Sequence, residues 1–311
     1  YPLSRAALDD SGWSLAGGTS ETLLAKLRSV GVPLKDYVDG KIYYGIKTGL
    51  NEAFVIDEAT RTRLIAQDPR SADLIKPFLA GRDVKRYAPL QAHNYLIFAK
   101  RGIEIEQYPA IMGYLNTFRQ RLTPKPRDWK GENWQGRKAG SYQWYELQDA
   151  VDYYQEFEKP KLVYPNICQR PEFALDDKNL FTNQKCFIIP NADKYLLGVM
   201  NSAIGLYLFE ALLPKLRGGY FEPGYVFMKD LPIRRINFDD PADKASHDQL
   251  VALVEKMLTR KQAHTAAVAA LADDRDEIGQ EIEQIDAQID ALVFDLYGLT
   301  EAERALVGGK L

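Results

Sequence analysis

Between residues 250 and 296 a single apolar phase runs through Leu250, Val254, Met257, Lys261, His264, Val268, Leu271, Arg275, Ile278, Ile282, Ile285, Ile289, Leu292 and Leu296. Eleven of these fourteen positions are apolar, and the steps alternate between four and three. That spacing keeps one stripe of a helix against a neighbouring helix, as in a coiled-coil seam. It predicts one long helix or a helical hairpin. Ser246 followed by Gln249 makes a capping-box pattern that would open the run. The polar exceptions Lys261, His264 and Arg275 bracket an alanine-rich patch and Asp273-Asp274, where a break between two helices costs least. Gly298 predicts the stop, and Thr300-Glu301-Ala302-Glu303 a short capped helix after it. His264 has no second ligand nearby, so it reads as a packed or solvated helix histidine.

Charge divides the chain at about the same place. Residues 1–240 hold 33 Lys and Arg against 29 Asp and Glu, a net of +4, whereas 241–311 hold 7 against 14, a net of −7. The split predicts two parts, 1–240 and 241–311, with different partners. Within the first, Phe118–Lys138 (FRQRLTPKPRDWKGENWQGRK) sets Arg119, Arg121, Lys125, Arg127, Lys130, Arg137 and Lys138 against only Asp128 and Glu132. Trp129 and Trp134 interleave with these charges, and Tyr142, Trp144 and Tyr145 follow. Pro124 and Pro126 bar a regular helix, so the segment is expected to be a basic loop. Basic side chains suit phosphates, and aromatic or guanidinium planes suit a displaced or kinked base. A charged surface loop whose tryptophans fold back onto the core fits the composition as well.

Between these features lie short strand-like runs, Tyr95–Ala99, Lys161–Tyr164, Phe173–Leu175 and Lys185–Ile189, and helix-like runs, Pro109–Leu122 and Lys194–Leu213. No regular βαβ repeat connects them. The expected class is α+β: an irregular mixed α/β domain followed by the helical segment. The apolar stretch Tyr195–Leu213 carries Asn201, Ser202 and Glu210, which are costly in hydrocarbon, so it reads as a buried core helix and no membrane segment remains. Cys168 and Cys186, with His93, His247 and His264, lack the short spacings of a zinc site, and one cysteine pair makes no disulfide framework. A reducing, cytoplasmic setting is expected, and no metal. The first residue is Tyr1 with no leader behind it, which suggests an excised part of a longer protein, the preferred reading, or a processed product.

Two glycine-bearing stretches invite a nucleotide reading: YYGIKTGLNEAFVID at 43–57 and KPFLAGRDVKRY at 76–87. Neither G-x-x-x-x-G-K-[ST] nor G-x-G-x-x-G is present, because Lys47-Thr48 precede the second glycine. What remains is an amide-rich turn with Lys47, Thr48 and Asn51, followed by a short strand over Ala53–Ile56. It can touch a phosphate or a base edge, or be a plain β-turn. No catalytic constellation emerges. There is no Asn-Pro-Pro-aromatic tetrapeptide, no glycine-rich S-adenosylmethionine turn and no G-x-S-x-G. Asp83-Val84-Lys85 approaches a nuclease pattern but lacks an upstream partner, and Asp83 is better explained as a mate for Arg82, Lys85 or Arg86. The pairs Asp9-Asp10 and Asp176-Asp177 are adjacent, so in extended backbone their side chains diverge.

Six ordered blocks carry a resemblance: YYGIKTGLNEAFVID, LIKPFLAGRDVKRY, EKPKLVYPNI, FTNQKCFII with YLLGVMNS, RGGYFEPGYVFMKDLPI, and HDQLVALVEKML with IDALVFDLYGLTEAE. From about Ala25 to Glu303 the chain resembles the TaqI-like C-terminal specificity region of adenine-N6 DNA methyltransferases and single-chain type IIG restriction-modification enzymes. The resemblance implies a target recognition domain over 1–240 and double-stranded DNA as partner. It also implies a methyltransferase core elsewhere in the same parent chain. S-adenosylmethionine would belong to that core, with no cofactor here. It nominates Lys47, Thr48, Asn51, Arg82, Arg86, Lys125, Arg127, Lys130, Trp134, Arg137, Lys138 and Trp144 for DNA contact, with Arg217 and Tyr220 of the RGGYF turn beside them. The loop 119–145 is then expected to read bases, and the glycine turns to be scaffold. The helical tail resembles the bracing helices of type I specificity subunits and is expected to pack as a hairpin rather than bind DNA, its net of −7 opposing phosphate. It could instead dimerise the chain. Two other classes compete: a metal-dependent nuclease, and a protein-interaction module built on the coiled coil.

Overall fold

A computed structural model describes residues 18–308; Tyr1 and the Asp9-Asp10 pair lie outside the described residues. Two four-stranded sheets form the centre. In the first, Tyr43–Tyr44, Cys186–Pro190, Lys161–Pro165 and Ala174–Asp176 lie side by side, all antiparallel. In the second the order is Val55–Ile56, Asn94–Ile97, Ile75–Leu79 and Phe181–Thr182, the last pair parallel. Every residue of Lys161–Pro165 is buried, and successive side chains go to opposite cores. Leu162 and Tyr164 enter the core shared with the helices, and Val163 enters the core shared with the second sheet. A strand buried on both faces loses its polar alternation, which is why its sequence reads as one short apolar run.

That burial includes a charge. Lys161 and Asp176, opposite each other in the strand register, are fully buried and paired at 2.5 Å. Lys161 Nζ also donates to Phe157 O at 2.6 Å, and Asp176 accepts from the Lys178 and Leu180 backbone N–H groups at 2.8 and 2.9 Å. With these bonds the pair is tolerable in the core, whereas one partner alone would not be. Asp176 is therefore structural and Asp177 exposed, so the two share no substrate.

The C-terminal segment is a helical hairpin, Pro241–Ala270 and Arg275–Leu296, followed by Glu301–Gly308. Its start lies upstream of the expected cap. Asp240 accepts the Ala242 N–H at 2.9 Å and Pro241 occupies the first turn, where its missing N–H costs nothing. Ser246 lies inside the helix and hydrogen-bonds back to Ala242 O at 3.0 Å. Leu250, Val254 and Met257 are fully buried, as are Ile285 and Ile289, and the other seam positions from Ile278 to Leu296 are nearly so. The apolar phase fails at the turn: Val268 is 47% exposed and Leu271 77%. Leu271 sits in the left-handed region (φ 54°), with its N–H on Val268 O and the Ala272 N–H on Ala267 O, a Schellman turn. After Gly298 (φ 63°), Thr300 and Glu303 form the expected reciprocal cap.

The hairpin packs on the rest of the chain. Gly198 meets it closely, since a Cβ there would lie 2.9 Å from Val254 Cγ2 and 3.1 Å from Leu250 Cδ1. The apolar stretch at 195–213 is not one helix. Lys194–Asn201 and Ala203–Leu212 meet at a 62° bend, because Ser202 caps the second helix by accepting from Gly205 N–H. No single described helix is long and apolar enough to cross a membrane. Asn201, at the bend, is bonded through its side chain to both backbone groups of Phe173. The Pro109–Leu122 run is likewise split, into Pro109–Asn116 and Arg119–Leu122, and the strand expected at Ala53–Ile56 is a helical turn, Asn51–Phe54, with strand only at Val55–Ile56.

Candidate nucleic-acid interface

The basic loop is irregular from Thr123 onward, as its prolines require, but its base is rigid. Lys125 N–H donates to Arg137 O at 2.9 Å and Arg137 N–H to Thr123 O at 3.0 Å, closing the loop on itself. Arg137 is 4% exposed, and its guanidinium donates to five backbone carbonyls: Leu122, Thr48, Glu146, Gln143 and Trp144, at 2.7 to 3.2 Å. Its face stacks on Tyr142 at 4.4 Å. Burial pulls its pKa down from the usual guanidinium range to about 10, still charged at neutral pH. Arg137 thus corrects the expectation of a DNA contact: it staples the loop base to the 47–49 turn. The Glu146 carboxylate finishes the staple by accepting from Gly102 and Gln143 N–H, both at 2.7 Å.

Beyond that base the loop projects. Arg127, Trp129 and Lys130 are exposed at its tip and Lys125 is half-buried. Trp129 packs edge-on to Trp134, whose Nε1 donates to Thr123 O at 3.2 Å. Trp134 therefore folds back on the loop base, while Trp129 keeps 41% of its surface. Trp144 is half-buried with the Arg119 guanidinium 4.6 Å over its ring.

The glycine turn meets the end of this loop. Lys47, Thr48, Gly49, Leu50, Asn51 and Glu52 line one side of an open depression of about 460 Å³; Gly136, Arg137, Lys138, Gln148 and Gln184 line the rest. Gly49 has φ +82°, and a Cβ there would lie 2.8 Å from both Arg137 Cδ and Gln148 Oε1, so only glycine allows the two segments to close. Thr48 is buried, and its hydroxyl donates to Asn51 Oδ1 at 2.6 Å, so it orients Asn51 rather than facing a ligand. Glu52 is neutralised by an ion pair with Arg121. Lys47 and Lys138 stand on the rim, and Asn51 is exposed. Gln148 and Gln184 are the members that sequence reasoning missed. Both sit inside framework segments, and only the tertiary approach of those segments brings them to the depression.

The remaining nominees fall elsewhere. Arg82 is 84% exposed on the Gly81–Asp83 turn, with Asp83 3.7 Å away as its partner. Arg86 is a second correction. It forks onto Asp286 of the hairpin and donates to Asn201 O at 2.9 and 2.7 Å, so it clamps the helical brace to the sheets. Beside it Asp290 accepts the Ala203 N–H at 2.7 Å, and burial pushes its pKa up to about 6. Arg217 and Tyr220 are exposed on a small ribbon, Lys215–Leu216 with Tyr220–Phe221, tied to Cys168 and away from the depression lining. Cys168 and Cys186 are free and buried. Among the described residues no group of three His, Cys, Asp or Glu gathers as a metal would need.

Residues 76–233, just over half of the chain, match the TaqI-like C-terminal specificity domain. The chain belongs to that family. It is 24% identical over 190 residues to the type II methyltransferase M.BanIII of Aneurinibacillus aneurinilyticus, covering 54% of this chain and 30% of that protein. With the type II methyltransferase M.PaeR7I of Pseudomonas aeruginosa it shares 22% identity over 316 aligned residues, covering 99% of this chain and 46% of the relative. The fold is similar to that of the type IIL restriction-modification enzyme MmeI in complex with DNA, with a TM-score of 0.54 at 15% identity, over 86% of this chain and 35% of that one. The chain thus spans less than half the length of each of these proteins. The family match supports a role as a specificity domain.

Proposed function

We propose that this chain is the sequence-reading part of an adenine-N6 DNA methyltransferase, or of a type IIG restriction-modification enzyme, and that it grips double-stranded DNA through the depression between the glycine turn and the basic loop. The observation that carries the reading is the convergence of Lys47, Asn51 and Lys138 on one open concavity beside a projecting basic tip, in a chain of this specificity family. Lysines on the rim and tip suit phosphates, which position the duplex, while the concavity accepts base edges. Catalysis and S-adenosylmethionine binding fall to a methyltransferase core in the rest of the parent protein. The acidic hairpin braces the reader and stays off the DNA. Target and free buried thiols together suit a reducing, cytoplasmic setting. Fluorescence anisotropy with a labelled random duplex at two salt concentrations tests this. Affinity should fall steeply with salt, and Lys138→Ala should lower the slope of log K against log salt by about one. Absence of binding at low salt, or binding indifferent to salt, would overturn it.

A further inference from the structure

The depression holds two side chains of a different chemistry from its rim. Gln148 and Gln184 line it from opposite framework segments, and among the described residues neither side-chain amide makes a hydrogen bond. Their backbones, in contrast, are fixed. Gln148 N–H donates to Thr48 O at 3.3 Å, and its carbonyl accepts from Arg101 Nη2 at 2.7 Å. Gln184 N–H donates to Ile46 O at 3.1 Å, in a turn where Asn183 N–H reaches Leu79 O at 3.1 Å and Asn183 Oδ1 accepts from Lys185 N–H at 3.0 Å. Two glycines clasp that turn. A Cβ at Gly45 would lie 2.0 Å from Asn183 O, and one at Gly81 2.5 Å from Lys185 O.

Unengaged amides on pinned backbone, facing an open concavity between two lysines, are placed to read rather than to hold. A phosphate takes a cation, which the rim supplies. A carboxamide offers a donor and an acceptor side by side, the complement of adenine N6 and N7 in the major groove. Rigid support also lowers the ordering cost of such a contact and sharpens its geometry. The basic loop, whose tip is exposed, is better suited to tracking the phosphates.

We propose that Gln148 and Gln184 are base-reading residues of this interface, each presenting its amide to a purine edge, adenine by preference. The assignment rests on the proposed DNA-binding function and reverses the division of labour expected from the sequence, with the glycine-framed turns as reader. The test is selection of bound duplexes from a randomised library by the full 311-residue chain, followed by sequencing. The variants are Gln148→Ala, Gln184→Ala and Gln184→Glu, each checked for an unchanged unfolding midpoint. Each alanine variant should lose about tenfold to a hundredfold discrimination at one position of the motif while keeping its salt slope. Gln184→Glu should move the preference at its position from adenine towards cytosine, whose N4 amine a carboxylate accepts. A wild-type motif that persists unchanged in all three variants overturns the assignment but leaves DNA reading by this chain standing. A wild-type chain that binds DNA yet enriches no motif overturns the assignment of readers to this chain. No binding at all overturns the proposed function along with it.

Discussion

Replacing Arg137 by alanine separates a structural arginine from a DNA-binding one. Arg137 is 4% exposed, and its guanidinium satisfies five backbone carbonyls drawn from the loop base and the 48 turn. Each buried acceptor left bare costs about 1–3 kcal/mol. The five will not be lost independently, because the loop will open and hydrate before it accepts them all. Its desolvation, visible in a pKa drawn down to about 10, offsets part of the gain in the wild type. A net loss of about 3–5 kcal/mol is therefore expected, the range for deleting one partner of a buried charged network. Urea unfolding followed by tryptophan fluorescence reads it directly, and limited proteolysis should find new cleavage between Thr123 and Gln148. Had Arg137 instead served a phosphate, the variant would unfold at the same urea concentration and lose only DNA affinity and salt slope. That outcome would refute the staple.

Three further substitutions probe the frame. Leu271→Gly should raise stability by up to about 1 kcal/mol in thermal or urea unfolding, because Leu271 holds a left-handed conformation with its side chain 77% exposed. A destabilised variant would show that Leu271 packs on something in solution. Arg86→Ala should cost about 3–5 kcal/mol by leaving Asp286 uncompensated, while the salt slope of DNA binding stays put; a changed slope would return Arg86 to the interface. Asp290, raised by burial and by Asp286 and lowered by the Ala203 N–H, Arg86 and Arg170, goes from 3.8 to about 6. The folded state then binds its proton more tightly, so its contribution is fully present below about pH 4 and is lost as pH rises through about 6. Asp290→Asn keeps an acceptor for Ala203 and should gain on the wild type by up to about 3 kcal/mol between pH 4 and 7 in paired urea titrations. A pH-independent difference would contradict the raised pKa.

What the sequence disclosed follows from how local each signal is. The hairpin was legible because a 3.5-residue period needs only its own helix, and the break near Asp273-Asp274 because polar residues interrupt that period. Leu271 misled because an apolar residue in phase looks identical whether it lies in a seam or closes a turn. The bend at Ser202 was hidden by an apolar composition that continues across it, although the serine cap itself was there to be read. Arg137 looked like its neighbours, since the carbonyls that bind it come from residues 48 to 146 and carry no sequence signature. Gln148 and Gln184 were silent for the same reason: what distinguishes them is the glycine-permitted approach of separate segments. Arg86 revealed its basic character and nothing of Asp286, 200 positions away.

Hydrogen exchange of backbone amides, with and without a duplex at low salt, tests the placement of DNA most directly. The account predicts added protection over residues 45–52, 123–138 and 182–186, with exchange unchanged along Pro241–Ala270 and Arg275–Leu296. Protection centred on those two helices, with the glycine turns and the basic loop unaffected, would contradict it.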